Sequence, residues 1–298
     1  MLLSSRDILG GVDYVNSISD QGEQISSLVE KNKSRFKGYE ISGKTLGVIG
    51  LGAIGLKVAN AGLALGMNVQ GYDPFISVNA AWELSSNVDR AESLEKLIRT
   101  SDFISVHVPF TDQTKGFINT ALIKQFKKGA VLLNFSRNAL VDEPAMVEAL
   151  DSGQIHKYVT DFPTKKLLER ISQHKDIMIF PHLGASTKES EVNCAVMACS
   201  QISDFLKFGK INNSVNFPNI SSEKVAKHRI FITNKNQPGI ISQITEGLAE
   251  AGVNISEFVN KSRGEIACNI IDSDDEIKPE IVSKLEKIEG VTNARLCY

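Results

Sequence analysis

In the stretch "DIMIFPHLGAST", His182 stands behind Pro181 and ahead of Leu183 and Gly184. A short apolar run, then Pro-His, then glycine displays an imidazole at the end of a strand. Such a ring can take or give a proton near neutral pH, and it works best with a carboxylate beside it. Upstream, where that acid is sought, stand Lys165 and Lys166, with Glu169 three or four residues further on. A cation close to an imidazole works against its charged form. The expectation is therefore a weakened acid–base pair, with Glu169 as the substitute acid. His182 as a structural histidine at a strand end is the plainer alternative.

A second chemical feature is "VIGLGAIG", which sets Gly50, Gly52 and Gly55 in GxGxxG spacing. It follows an apolar run, opens an Ala-rich helical stretch, and precedes "MNVQGYD", whose Asp73 lies about twenty residues on. In this context Gly50 permits the tight turn, Gly52 lets backbone approach a pyrophosphate, and Gly55 lets helix pack on strand. The N–H groups of Ala53 and Ile54 would point at phosphate with the helix dipole behind them. Asp73 would accept from ribose hydroxyls and repel a 2′-phosphate, so NAD is expected over NADP. The alternative is that the glycines serve only helix–sheet packing.

These residues need a frame, and the hydrophobic pattern supplies one. Strand-like runs "KTLGVIG", "MNVQGYD", "FISVHVP", "AVLLNFS", "HKYVTDF" and "DIMIFPH" alternate with helical runs "SLEKLIRTSD", "NTALIKQFKKG" and "DEPAMVEALDSG". Such alternation implies an α/β, Rossmann-like doubly wound parallel sheet. A helix is expected from about Ser186 to Phe208, and Ile8, Leu9, Val12 and Val15 place an apolar stripe on a helix near the start. Residues 209–224 read as a linker. Residues 225–298 follow as βαββαβ, the order of a small ferredoxin-like unit. The first domain is thus 1–208.

The composition is that of an ordinary soluble protein, with 42% hydrophobic and 23% charged residues and a net charge of −2. It gives no reason to expect nucleic acid or membrane as a partner, and a cytoplasmic location is expected. Cys194, Cys199, Cys268 and Cys297 form no CxxC pair, so no metal is expected and all four read as buried free thiols. Trp82 and the phenylalanines read as packing.

The segments "GKTLGVIGLGAIG", "GYDPF", "HVPFT", "NFSRNALVDEPA", "VTDFP" and "PHLGAST" occur in the order found in D-2-hydroxyacid dehydrogenases, and the chain resembles that family over most of its length. The resemblance implies oxidation of a 2-hydroxy acid by NAD, with 3-phospho-D-glycerate as substrate in the first step toward L-serine. It assigns His107, Pro109 and Thr111 to the adenine side of the cleft and Phe135 and Ser136 to the nicotinamide. Asp161 would hold the carboxamide, and Gly184 and Ala185 complete the cofactor set. Arg137 would grip the substrate carboxylate, a task suited to a planar two-pronged donor, unless it is merely a surface ion-pair residue. His182 would move the hydroxyl proton. Three departures stand out. The family's glutamate is replaced by the Lys165–Lys166 neighbourhood, Asn138 stands where glycine is usual, and the family's leading substrate-domain segment, about a hundred residues long, precedes what resembles this chain's opening "MLLSSRDILGG". An exposed stripe on that opening helix would invite self-association.

The trailing unit, with "NKNQPGIISQI" and "AGVNI", resembles an ACT regulatory domain. This implies paired protomers, a homodimer or homotetramer, and L-serine as a small-molecule effector touching Asn234, Asn236 and Asn254. A purely dimerising unit is the alternative. For the whole chain the rivals are a non-catalytic NAD-binding, serine-sensing protein and a dehydrogenase for another 2-hydroxy acid.

Overall fold

A computed structural model describes residues 1–171 and 174–297 and divides the chain into two compact units, Met1–Gly184 and Ala185–Tyr298. The first holds strands β1 (Thr45–Ile49), β2 (Asn68–Tyr72), β3 (Asp89–Arg90), β4 (Phe103–Val106), β5 (Ala130–Asn134), β6 (Ile155–Thr160) and β7 (Ile177–Ile179). They pair in the order β3-β2-β1-β4-β5-β6-β7, every neighbour parallel.

Alternation along each strand sends side chains to two cores, because successive residues point to opposite faces. Ile104, Val106, Leu132 and Tyr158 enter one core, and Leu46, Val48, Val131, Leu133 and Val159 enter the other. Both faces are buried, which explains why the strands read as continuous apolar runs.

Several local elements differ from the sequence expectation. The helix sought in "NTALIKQFKKG" is only Thr120–Ile123, and the chain then turns so that Lys127 N–H donates to the Ile98 carbonyl. Helices Val78–Glu83 and Lys165–Ile171 were not expected; Ser77 caps the former, and the hydroxyl of Thr164 accepts from Leu167 N–H in the latter. Trp82 and Phe75 do not pack, being 84% and 90% exposed. Near the start, helix Ile8–Ser17 buries nothing, so the stripe Ile8, Leu9, Val12 and Val15 stands exposed. Among the described residues no helix is long and apolar enough to cross a membrane.

The second unit opens with helix Lys188–Phe208, ended by Gly209 at φ +70°. The contacts group this helix with the C-terminal sheet, not with the first domain as the sequence suggested. Arg295 explains part of this: it donates to the carbonyls of Leu206 and Phe205, and the Phe205 ring stands edge-on to Phe231 at 5.3 Å. Nor is the segment 209–224 a free linker. Ile211 and Ile220 pair as an antiparallel bridge and are buried with Phe231, Cys268 and Ile270.

Strands β8 (His228–Lys235), β9 (Glu257–Arg263), β10 (Ile266–Ser273) and β11 (Val291–Cys297) form an antiparallel sheet in the order β11-β8-β10-β9. Helices Ile240–Glu250 and Pro279–Leu285 cover its other face against Ile230, Ile232 and Ile271. The element order is the expected βαββαβ. Arg229 and Asp272 are both 0% exposed and joined by two charge-assisted hydrogen bonds of 2.6 and 2.8 Å. Cys268 and Cys297 are buried, and burial pushes the Cys268 thiol up to about 11. Cys194 and Cys199 are exposed, contrary to expectation, because helix Lys188–Phe208 buries none of its residues.

Candidate functional site

Six of the seven parallel strands end beside a residue expected to do chemistry. Gly50, Asp73, His107, Phe135 and Asp161 come one residue after β1, β2, β4, β5 and β6, and His182 stands three beyond β7. Parallel strands present all their carboxyl ends at one rim, so positions far apart in sequence converge there. The strand order reverses between β1 and β4, and the crevice at such a reversal is where open α/β sheets take ligands. A cavity of about 480 Å³ lined by Lys44, Asp102, Phe103 and His156 lies at the opposite ends of the strands and holds none of these residues.

The glycine turn is dictated by space. Gly50 has φ +89°, and a Cβ there would lie 2.8 Å from the backbone of His107. A Cβ on Gly55 would lie 1.9 Å from the Gly50 carbonyl oxygen. At Gly52 an added Cβ meets nothing within 4 Å, which leaves the open approach a pyrophosphate needs. Ala53 and Ile54 are exposed at the start of helix Gly55–Ala64, which has no side-chain cap. Asp73 braces this turn: Leu51 N–H donates to one carboxylate oxygen and Phe75 N–H to the other, each at 2.8 Å. Each oxygen keeps a second lone pair for a hydroxyl donor. The open cradle and the half-used acid fit a dinucleotide.

His107 is largely buried, its Nε2 2.8 Å from the Ser105 hydroxyl, and burial pushes its pKa down from 6.5 to about 4. Between those values the unfolded chain binds a proton that the folded chain refuses, so stability falls as pH drops through 6.5 toward 4. The penalty reaches about 2 kcal/mol at pH 5. His107→Gln should remove it. Thermal melts at pH 7 and pH 5 should show the variant losing less stability than the parent; equal losses would refute this. Beyond His107, Pro109 accepts from the Thr114 hydroxyl, and Thr111 and Thr114 bond reciprocally, closing a local turn on the rim.

The turn after β5 carries Phe135, Ser136 and Arg137. Sequence reasoning missed the residue that holds it. Asn134 is 0% exposed; its amide nitrogen donates to the Arg137 carbonyl at 3.0 Å, and its oxygen accepts from Ser136 N–H at 3.2 Å. An asparagine closing an all-apolar strand was the available signal. The Ser136 hydroxyl donates to the Val108 carbonyl, tying this turn to the one after β4. Phe135 is 41% exposed, and Arg137 is exposed with its guanidinium on the Ser136 carbonyl. Asn138 opens a short 3-10 turn outside the left-handed region, so glycine is not demanded there.

At His182 the structure differs from the sequence expectation. The acid set beside it is Asp161, whose Oδ2 lies 3.8 Å from Nδ1. Glu169 instead reaches Lys165 at 3.9 Å along their own helix, where Lys165 is 91% exposed. The His182 side chain is 63% exposed and packs edge-on against Phe162. Gly184 and Ala185 are exposed; Gly184 closes the first unit and Ala185 opens the second.

In the second unit the three candidate effector residues are not equivalent. Asn234 is 2% exposed, and its amide is used internally, donating to the Lys235 carbonyl and accepting from Asn269, which in turn accepts from Asn260. Asn236 donates to the Gly264 carbonyl, and the Asn254 backbone is tied to Asp275 and Ser273. No hydrogen bond joins any two of Asn234, Asn236 and Asn254 among the described residues.

Residues 12–184 match the family model of the D-isomer specific 2-hydroxyacid dehydrogenase, NAD binding domain. The chain belongs to that family. Its similarity extends to D-3-phosphoglycerate dehydrogenase of Haemophilus influenzae, 30% identical over 275 residues, which covers 90% of this chain and 66% of the relative. The enzyme of the same name from Methanocaldococcus jannaschii is 37% identical over 223 residues, 73% of this chain and 42% of the relative. The chain thus spans less than two thirds of the length of either. Among solved structures, apo D-lactate dehydrogenase from Escherichia coli is 26% identical, with a TM-score of 0.56 over 69% of this chain and 61% of that one. The matched residues include the glycine turn and Asp73, which lie within an NAD binding domain.

Proposed function

We propose that this chain works in a D-3-phosphoglycerate dehydrogenase, moving hydride between NAD and C2 of 3-phospho-D-glycerate to give 3-phosphohydroxypyruvate. The observation that carries the reading is the rim itself: a glycine turn that a single Cβ would close, with an exposed arginine and an exposed histidine on loops of the same edge. NAD, when bound, accepts the hydride from C2. The chain's residues do the rest. Asp73 receives ribose hydroxyls, and the backbone at Gly52–Ile54 receives pyrophosphate. Arg137 pairs with the substrate carboxylate through its planar fork. His182 takes the C2 hydroxyl proton as hydride leaves and returns it in the reverse direction. The names of the relatives favour the phosphorylated substrate over other 2-hydroxy acids.

The C-terminal unit reads as an ACT-type regulatory domain, supported by its βαββαβ order. Asn236 and Asn254 remain candidates for L-serine, whereas the Asn234 side chain is committed to the sheet.

The test is NADH oxidation with 3-phosphohydroxypyruvate against pyruvate and plain hydroxypyruvate, each with and without millimolar L-serine. Faster turnover of the phosphorylated acid, by about tenfold or more in kcat/KM, is expected. A preference for the unphosphorylated acids overturns the substrate assignment, and insensitivity to serine overturns the effector.

A further inference from the structure

The segment that follows β6 supplies lysines where an acid was sought, yet His182 does not lack a carboxylate. Asp161 Oδ2 lies 3.8 Å from its Nδ1. Asp161 is 5% exposed, and its Oδ1 is buried with no hydrogen-bond partner. A buried acceptor left unpaired is costly, so its persistence points to a partner that arrives from the crevice. The two loops are also held together. Phe180 N–H donates to the Thr160 carbonyl and the Phe162 ring meets the imidazole edge-on at 5.3 Å, while Phe162 N–H donates to the Thr160 hydroxyl within its own segment. Neither residue needs to leave its loop for the gap to close by the ångström a hydrogen bond requires.

We propose that Asp161 is the positioning carboxylate of His182. It accepts the Nδ1 proton of the neutral ring, so Nε2 is left bare to receive a proton from the substrate hydroxyl. Its Oδ1 remains for an amide donor of the bound cofactor, and one carboxylate serves two neighbours. The inference deepens the proposed dehydrogenase reading and rests on His182 being its acid–base group, but its test does not depend on turnover.

The test is 15N NMR of the full chain labelled at histidine, with the His182 signals assigned by His182→Gln, at a pH where the ring is neutral. The ring-nitrogen shifts report which nitrogen carries the proton. In the parent the proton should sit mainly on Nδ1. In Asp161→Ala it should move mainly to Nε2, and Asp161→Glu should keep it on Nδ1. A parent ring protonated mainly on Nε2 overturns the proposal without any variant. An unchanged tautomer in folded Asp161→Ala overturns it as well. If the tautomer behaves as expected while 3-phosphohydroxypyruvate is not turned over, the substrate assignment fails and the Asp161–His182 pair stands.

Discussion

Gly55→Ala should abolish NADH binding, weakening it by more than about a hundredfold, close to 3 kcal/mol. The added methyl would sit 1.9 Å from the Gly50 carbonyl oxygen and 3.3 Å from the His107 Cβ. The nearer obstacle is backbone, so no side chain can rotate away. The helix that starts at Gly55 must lift off the turn, and on the proposed reading the backbone of that turn receives the pyrophosphate. Gly52→Ala is the informative contrast. Nothing lies within 4 Å of a Cβ there, and its φ is not left-handed, so the melting temperature should stay with the parent. Binding should still weaken, because the methyl fills the space that the pyrophosphate approaches. Titration of NADH fluorescence and a thermal melt on both variants separate the two roles. Normal binding by Gly52→Ala would show that the open space is not the phosphate's.

Arg229→Ala should cost the second unit about 3–5 kcal/mol, the usual loss when one partner of a buried ion pair is removed. Asp272 would be left charged and buried, although it would still accept from Val225 N–H. More is lost than the pair. Arg229 also donates to the carbonyls of Phe208, Ser222 and Glu223, fastening the segment after helix Lys188–Phe208 to the sheet. Arg229→Met with Asp272→Leu removes the stranded charge but not the stranded carbonyls, so it should recover stability only in part. Hydrogen exchange at the β8 and β10 amides reads the outcome. Full recovery in the double variant would show that the carbonyl contacts contribute little.

The turn, the alternating strands and the histidine at a strand end were legible because each is a local demand written in adjacent residues. A glycine that must have φ +89° can be recognised by its spacing, and a two-sided strand by its unbroken apolar run. What could not be read were contacts between loops. Glu169 is nearer in sequence to the expected acid than Asp161, but helix Lys165–Ile171 directs it along its own axis toward Lys165. Asn134 looks like any strand-ending polar residue until the turn after it folds back onto its amide. Asn234 is expected from the sequence to touch an effector, whereas β8, β10 and β9 line up Asn234, Asn269 and Asn260 as a chain of amides. Residues 209–224 carry too little periodicity to reveal that Ile211 and Ile220 pair across a turn.

The convergence of six strand ends on one rim separates what the scaffold must conserve from what the chemistry can exchange. The side chains beneath, such as Leu46, Ile104 and Leu132, are 0% exposed and constrain one another's volume. The residues above belong to separate short loops, and replacing one leaves the strand register intact. Within the segment between β6 and β7, the positions of Lys165 and Lys166 and that of Asp161 lie only a few residues apart, so a carboxylate can be moved along the segment without disturbing the sheet. Duties at this edge are portable between neighbouring loop positions in a way that positions inside the sheet are not.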